Sequence, residues 1–282
     1  MKNIFCLSFI AILTAISIII PSKAQAIDII AGATTWYAQG EPIYYNKSKN
    51  DIVYYPFQSN SAFLCGPAIS VKFNEDFNLT FLYLYGKFNY NGKVYFDGTA
   101  AAELEINFKS KRNDADLALN YTLNSYFKVF IGVKYLSFDM QQIIFQSSDA
   151  VADKYSYRNQ GEHKGIGPGL GIGAVFPIID NLFLLSNLSG FHLLGTSEKI
   201  QFVGISPDGM SLISYEFKSS FKEYGFNANL SLAYYIVSAS TAINLGGRLQ
   251  HIRTDYKDDR FPVKIKQTLR GITLSAAYGF SI

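Results

Sequence analysis

Residues 222–252 read KEYGFNANLSLAYYIVSASTAINLGGRLQHI, and the alternation in this stretch decides the fold. Tyr224, Phe226, Ala228, Leu230, Leu232, Tyr234 and Ile236 fall on one side, and Glu223, Gly225, Asn227, Asn229, Ser231 and Ala233 on the other. The period is two, which belongs to a strand and not to a helix. Val237–Ser240 turns the chain, after which Ile243, Leu245 and Leu249 point one way and Asn244, Gly246, Arg248 and Gln250 the other. The two faces differ in bulk as well as polarity. A small soluble barrel places its bulky face inside, and its interior has no room for so many large side chains. Large residues facing lipid, with Gly, Ala, Ser, Asn and a few charges around a narrow axis, satisfy both size and polarity.

The same pattern repeats along the chain. Alternating segments at 27–39, 61–73, 79–90, 104–121, 127–135, 164–178, 182–195 and 271–282 join the opening hairpin to give about ten strands, with eight or twelve as neighbouring even counts. The fold class is all-β, an antiparallel up-and-down transmembrane β-barrel with short periplasmic turns and long extracellular loops. Trp36 and Tyr37 are expected in an interfacial ring. Pro67 suggests a bulge because it lacks a ladder donor. Asn91-Gly92 reads as a hairpin tip, a slip of phase near Asn113 as a second bulge, and the polar run 139–163 as loop. Glycines at 165, 167, 169, 171 and 173 alternate along one strand; phosphate-binding glycines instead occupy a turn entering a helix, so these are read as relief of crowding on the inner face. The rival fold, an exported β-sandwich, would leave a Gly/Ser/Asn face to water.

Composition agrees with a membrane barrel. Charged residues make up 17% of the chain and aromatics 16%, with 23 Phe and 20 Tyr, which suits interfacial girdles better than a soluble surface. Residues 1–26 carry Lys2, an apolar run from Ile4 to Ile20 and Ala24-Gln25-Ala26, the marks of an export signal, leaving 27–282 as a single barrel domain. Loss of Lys2 and Lys23 leaves 23 basic against 22 acidic residues, too even a balance for nucleic acid. Cys65 would then be the one remaining cysteine, so no internal disulfide forms.

The closing segment Leu274-Ser275-Ala276-Ala277-Tyr278-Gly279-Phe280-Ser281-Ile282 resembles the last strand of small outer-membrane β-barrel proteins of Gram-negative bacteria, which end in an alternating segment with a near-terminal aromatic used as an assembly signal. Here that aromatic is Phe280 and the chain ends on Ile282, a departure that weakens the signal. The resemblance implies the outer membrane as location, outer-membrane lipids and lipopolysaccharide as surroundings, and the barrel-assembly machinery as a partner during insertion of a monomer.

Functional residues are fewer. Asp114, Asp116, Lys128, Lys134, Glu223 and Arg248 are expected to line the lumen, either tuning a narrow water path or pairing across it and plugging it. His251 lies close in sequence to Asp255, Asp258 and Asp259, but the motifs of deacylase, phospholipase and omptin barrels are missing, so no catalytic residues are assigned. His163 and His192 show no partner in sequence, and no ligand spacing points to a metal or other cofactor. Tyr44, Tyr45, Tyr54, Tyr55, Tyr155 and Tyr157 on the outer loops suit surface recognition. The expected function is that of a porin-like or structural surface protein with a narrow, plugged or nearly plugged lumen. A surface adhesin acting through its loops is the alternative, and a hydrolase ranks third.

Overall fold

In the computed structural model, ten antiparallel strands close into one barrel. The structure describes residues 27–40, 52–54, 60–96, 103–147, 156–205, 211–257 and 264–281; the export signal and parts of the outer loops lie outside them. The strands are β1 (Asp28–Gly40), β2 (Ile52–Tyr54), β3 (Asn60–Lys72), β4 (Phe77–Phe96), β5 (Glu103–Thr122), β6 (Phe127–Ser147), β7 (Ser156–Ile179), β8 (Leu182–Ile205), β9 (Ser211–Ile236), β10 (Thr241–Tyr256) and β11 (Lys264–Ser281). All but β2 form the wall, and β1 closes it by pairing with both β3 and β11. The short β2 pairs with Val94–Phe96, at the outer end of β4 beyond the reach of β3.

The turn end is built tightly. Asn74 Oδ1 accepts from the backbone N–H groups of Asp76 and Phe77 at 2.9 and 2.8 Å, and Asn124 Oδ1 repeats this with Tyr126 and Phe127 at 2.9 Å each. Asn181 takes a left-handed conformation (φ 62°), which lets two residues reverse the chain between β7 and β8. Val237–Ala239 form one 3₁₀ turn before β10.

Facing toward lipid follows the alternation. Tyr224, Phe226, Leu230 and Leu232 are exposed on the outside, as are Leu245, Ile272 and Leu274. On β8, Asn187 and Ser189 line the lumen, while Leu188 is exposed on the outer face.

The strands greatly outrun the membrane. The 26 residues of β9 extend about 85 Å, or about 65 Å of height at a tilt of about 40°, against an apolar band of about 25 Å. Several expectations change as a result. Asn91-Gly92 is no tip, since β4 continues to Phe96 with Asn91 opposite Asn107. Most of 139–163 is paired strand in β6 and β7. There is no bulge at Asn113: β5 keeps one register with β4 and with β6 from Glu103 to its end. At Pro67 the ladder to β4 lapses and resumes in the same register, so no residue is inserted there either.

The slip of phase near Asn113 is chemical. Phe108, Ser110, Arg112 and Asp114 all point inward on one regular strand. Below this level the outer neighbour is hydrocarbon, so apolar residues face out. Above it the outer neighbour is water, and apolar residues turn in. The small-and-polar interior expected from sequence holds only in the membrane half. In the outer half Leu64, Leu84, Phe88, Tyr90, Leu136, Phe138, Leu193, Phe221, Ile252 and Leu269 form a buried core. Trp36 belongs to this core, fully buried, and is not a girdle residue; Tyr37 beside it is the exposed one, packed on Phe63 at 4.9 Å. Inner-face glycines make room for these rings. A Cβ on Gly225 would lie 2.3 Å from Phe191, and one on Gly171 2.4 Å from Phe130.

Candidate functional site

Where the membrane half of the lumen meets the outer core, charged side chains fill the axis. Arg112 and Asp114 reach it from β5, Lys134 from β6, and Arg248 and Gln250 from β10. Asp114 stands at the centre: its Oδ1 accepts from Lys134 Nζ in a close ion pair, and its Oδ2 accepts from Arg112 at 3.1 Å and from Gln250 Nε2 at 3.1 Å. Lys134 also reaches Asp116 at 3.0 Å. Arg248 stands 3.9 Å from Asp114 and 4.0 Å from Asp116. Gln267 accepts from Arg112 at 3.2 Å, and Gln250 both accepts from Arg112 and donates to Asn227 at 2.7 Å.

Each of the three cations also lies against an aromatic ring. Arg112 is 4.8 Å from the centre of Phe138, Lys134 5.3 Å from Phe191 and Arg248 4.7 Å from Trp36. The exposures of Arg112, Asp114 and Lys134 are 0%, 1% and 2%, so all three are buried within the lumen. Arg112, Asp114 and Lys134 survive such burial because each is ion-paired and hydrogen-bonded, with only Arg112 Nε among their polar atoms left without a partner. The layer works as a polar stopper beneath an apolar one.

On the turn side lies a cavity of about 370 Å³, lined by Ser70, Asn120, Lys128, Asn187, Asn229 and the exposed side of Asp116, among others. Of the three cations among the six lumen charges, Lys128 is the one that has no carboxylate partner among the described residues. Glu223 stands apart, above the stopper. Its Oε2 lies 2.9 Å from His163 Nε2, and the Tyr256 hydroxyl lies 3.3 Å from His163 Nδ1. The imidazole stacks on Phe221 at 3.8 Å, within the apolar core. Sequence reading missed His163. It shares the inward phase of the glycine row on β7, and Glu223 the inward phase of β9, but β7 and β9 are separated by β8, so it is the concave inner face of the sheet that brings the two together.

The other sequence candidates stay apart. His251 and Asp255 both face outward on β10: His251 Nδ1 lies 2.8 Å from Thr268 Oγ1, and Asp255 accepts from the Tyr224 hydroxyl at 2.9 Å and pairs with Arg253 at 3.2 Å. His192 stacks on Tyr224 on the same outer face. No cluster of metal-ligating side chains occurs among the described residues. Of the loop tyrosines, Tyr54 and Tyr157 fall in β2 and β7, and Tyr44, Tyr45, Tyr55 and Tyr155 lie outside the described residues, as do Asp258 and Asp259.

A family model described as Legionella pneumophila major outer membrane protein precursor matches residues 19–247. The chain belongs to this family. The span matched by the Legionella outer membrane protein model takes in Asp114, Asp116, Lys128, Lys134 and Glu223, and stops one residue short of Arg248. Membership places the barrel in the outer membrane, with its exposed apolar band in the bilayer. No curated protein matches. Among solved structures, the chain is similar to the outer membrane protease OmpT from Escherichia coli, at 12% identity over 93% of this chain and 99% of that one, with a TM-score of 0.47. It is also similar to a major outer membrane protein from Thermus thermophilus, at 10% identity over 90% and 99% of the two chains, with a TM-score of 0.40.

Proposed function

We propose that this barrel is a closed structural protein of the cell surface, which carries its outer loops well clear of the bilayer and does not conduct solutes. The observation that carries the reading is Asp114, held by Arg112, Lys134 and Gln250 in the middle of the lumen with a buried apolar core above it. A porin needs a continuous wet path, and side chains that fill the axis remove it. The display role rests on the outer half of the wall, whose outward faces above the girdle carry exposed Lys87, Asn89, Lys109, Lys111 and Asp139, groups suited to water. In this reading the protein is not an enzyme: the His163–Glu223 pair is sealed among aromatic rings, and His251 with Asp255 faces outward. It works as a monomer, inserted by the barrel-assembly machinery.

Planar bilayer recording on the refolded full chain tests closure. The expected trace is flat at 100 mV, and steady, ion-selective steps would refute it. A pull-down on host cell surface proteins by whole cells, with and without residues 41–59, tests display; binding unchanged by the deletion, and by deletions of the other loops in turn, would refute it.

A further inference from the structure

We infer that the outer face of β9, β10 and β11 binds the phosphates of a phosphorylated glycolipid in the outer leaflet. The inference is independent of whether the lumen conducts. Toward the outer ends of these strands the outward positions change from apolar to basic in steps, Arg270 on β11 standing opposite Leu249 on β10, and Arg253 on β10 opposite Tyr224 on β9. On β11, Ile272 and Leu274 are 58% and 53% exposed, and the next outward positions are Arg270, Thr268 and Lys266, all exposed. On β10, Leu245 gives way to His251 and Arg253, and on β9 Phe226 and Tyr224 give way to Lys222. The aromatic rings mark the headgroup boundary, so these cations stand where lipid phosphates lie.

Register brings the cations together. Arg253 is directly opposite Lys266 across the β10–β11 ladder and opposite Tyr224 across β9–β10, while Lys222 is opposite Asp255. Two like charges directly opposed on one face destabilise a sheet unless a counter-charge lies between them. Asp255 supplies one, bonded to Arg253 and Tyr224. Lys222, Lys266 and Arg270 form no ion pair among the described residues. β11 contains no acidic residue, and among the described residues its outward neighbours on β1 opposite Ile272 and Arg270 are Tyr37 and Gln39. Elsewhere on the outer face Lys164 and Lys218 are neutralised by Glu162 and Glu198, while on β4 and β5 Lys87 stands opposite Lys111, which has Asp139 opposite it on its other side. The cationic patch, with lipid-facing Leu230, Leu245, Ile272 and Leu274 beneath it, complements a molecule that has phosphate above acyl chains.

The test uses the full chain refolded in nonionic detergent, with bound lipid measured by native mass spectrometry. The probes are diphosphoryl lipid A, the same lipid stripped of both phosphates, and inorganic phosphate as competitor. A basic residue beside an anionic lipid surface contributes about fivefold in affinity. Diphosphoryl lipid A should therefore bind wild type at least tenfold more tightly than the stripped lipid, and at least tenfold more tightly than it binds K222Q/R253Q/K266Q/R270Q. The variant K164Q/K218Q should bind as wild type does. Should the quadruple variant not fold, K266Q/R270Q is the substitute, with an expected loss of at least fivefold. Equal binding of the stripped lipid by wild type overturns the inference, as does undiminished binding by the folded variant. Displacement by equimolar inorganic phosphate also overturns it, since the cations would then hold a free anion.

Discussion

Replacing Asp114 with Asn removes one charge from the centre of the lumen without changing the shape of the side chain. Arg112 and Lys134, both fully buried, then face a neutral amide, and Lys134 keeps only the half-buried Asp116. Stranding a buried charge by removing its partner costs about 3–5 kcal/mol. With a urea dependence of about 3 kcal/mol/M, the unfolding midpoint falls by about 1–1.7 M. The assay is reversible urea unfolding in lipid vesicles. It is followed by fluorescence of Trp36, the single tryptophan of the chain, which lies against Arg248 in the same layer. Asp116→Asn is the internal comparison: Asp116 is 31% exposed, so its loss should cost less than about 1 kcal/mol. Adding Lys134→Met to Asp114→Asn should recover part of the loss, because the second change removes the stranded charge. A midpoint for Asp114→Asn no lower than that for Asp116→Asn would refute the idea that this layer holds the barrel shut by buried pairing.

Phe221→Ala, which empties a site stacked on His163 in the outer core, should lower stability by about 3–5 kcal/mol in the same assay. Leu230→Ala on the lipid face should cost clearly less, and equal losses would deny that the outer half has a core of its own. Gly225→Ala should destabilise by about 1–3 kcal/mol, because its Cβ would strike Phe191 and the His251 carbonyl, whereas Gly190→Ala, whose nearest contact would be 3.9 Å away, should change little. Cys65 is exposed on the outer face between Phe63 and Pro67. In vesicles it should react with a hydrophobic maleimide and resist a charged, membrane-impermeant one, with mass spectrometry counting the adducts. Equal labelling by both would move this part of β3 out of the bilayer.

The alternation of 222–252 and of 271–281 by itself determined the strands, the direction of their lipid-facing sides and the barrel class, because a period of two ties each residue to a face wherever one solvent bounds that face. The inward phase of Asp114, Lys134, Glu223 and Arg248 was legible for the same reason. The sequence misled where the surrounding solvent changes. On β5 the apolar positions pass from Leu117 and Ala115 outside to Phe108 inside with no break in the backbone, and in sequence that exchange is indistinguishable from a bulge. Only the closed barrel decided that Arg112 of β5 meets Gln250 of β10 and Gln267 of β11 across the axis, and that His163 of β7 reaches Glu223 of β9. Contacts across a lumen join residues far apart in sequence, and their partners follow from strand count, tilt and register acting together, which no local pattern contains.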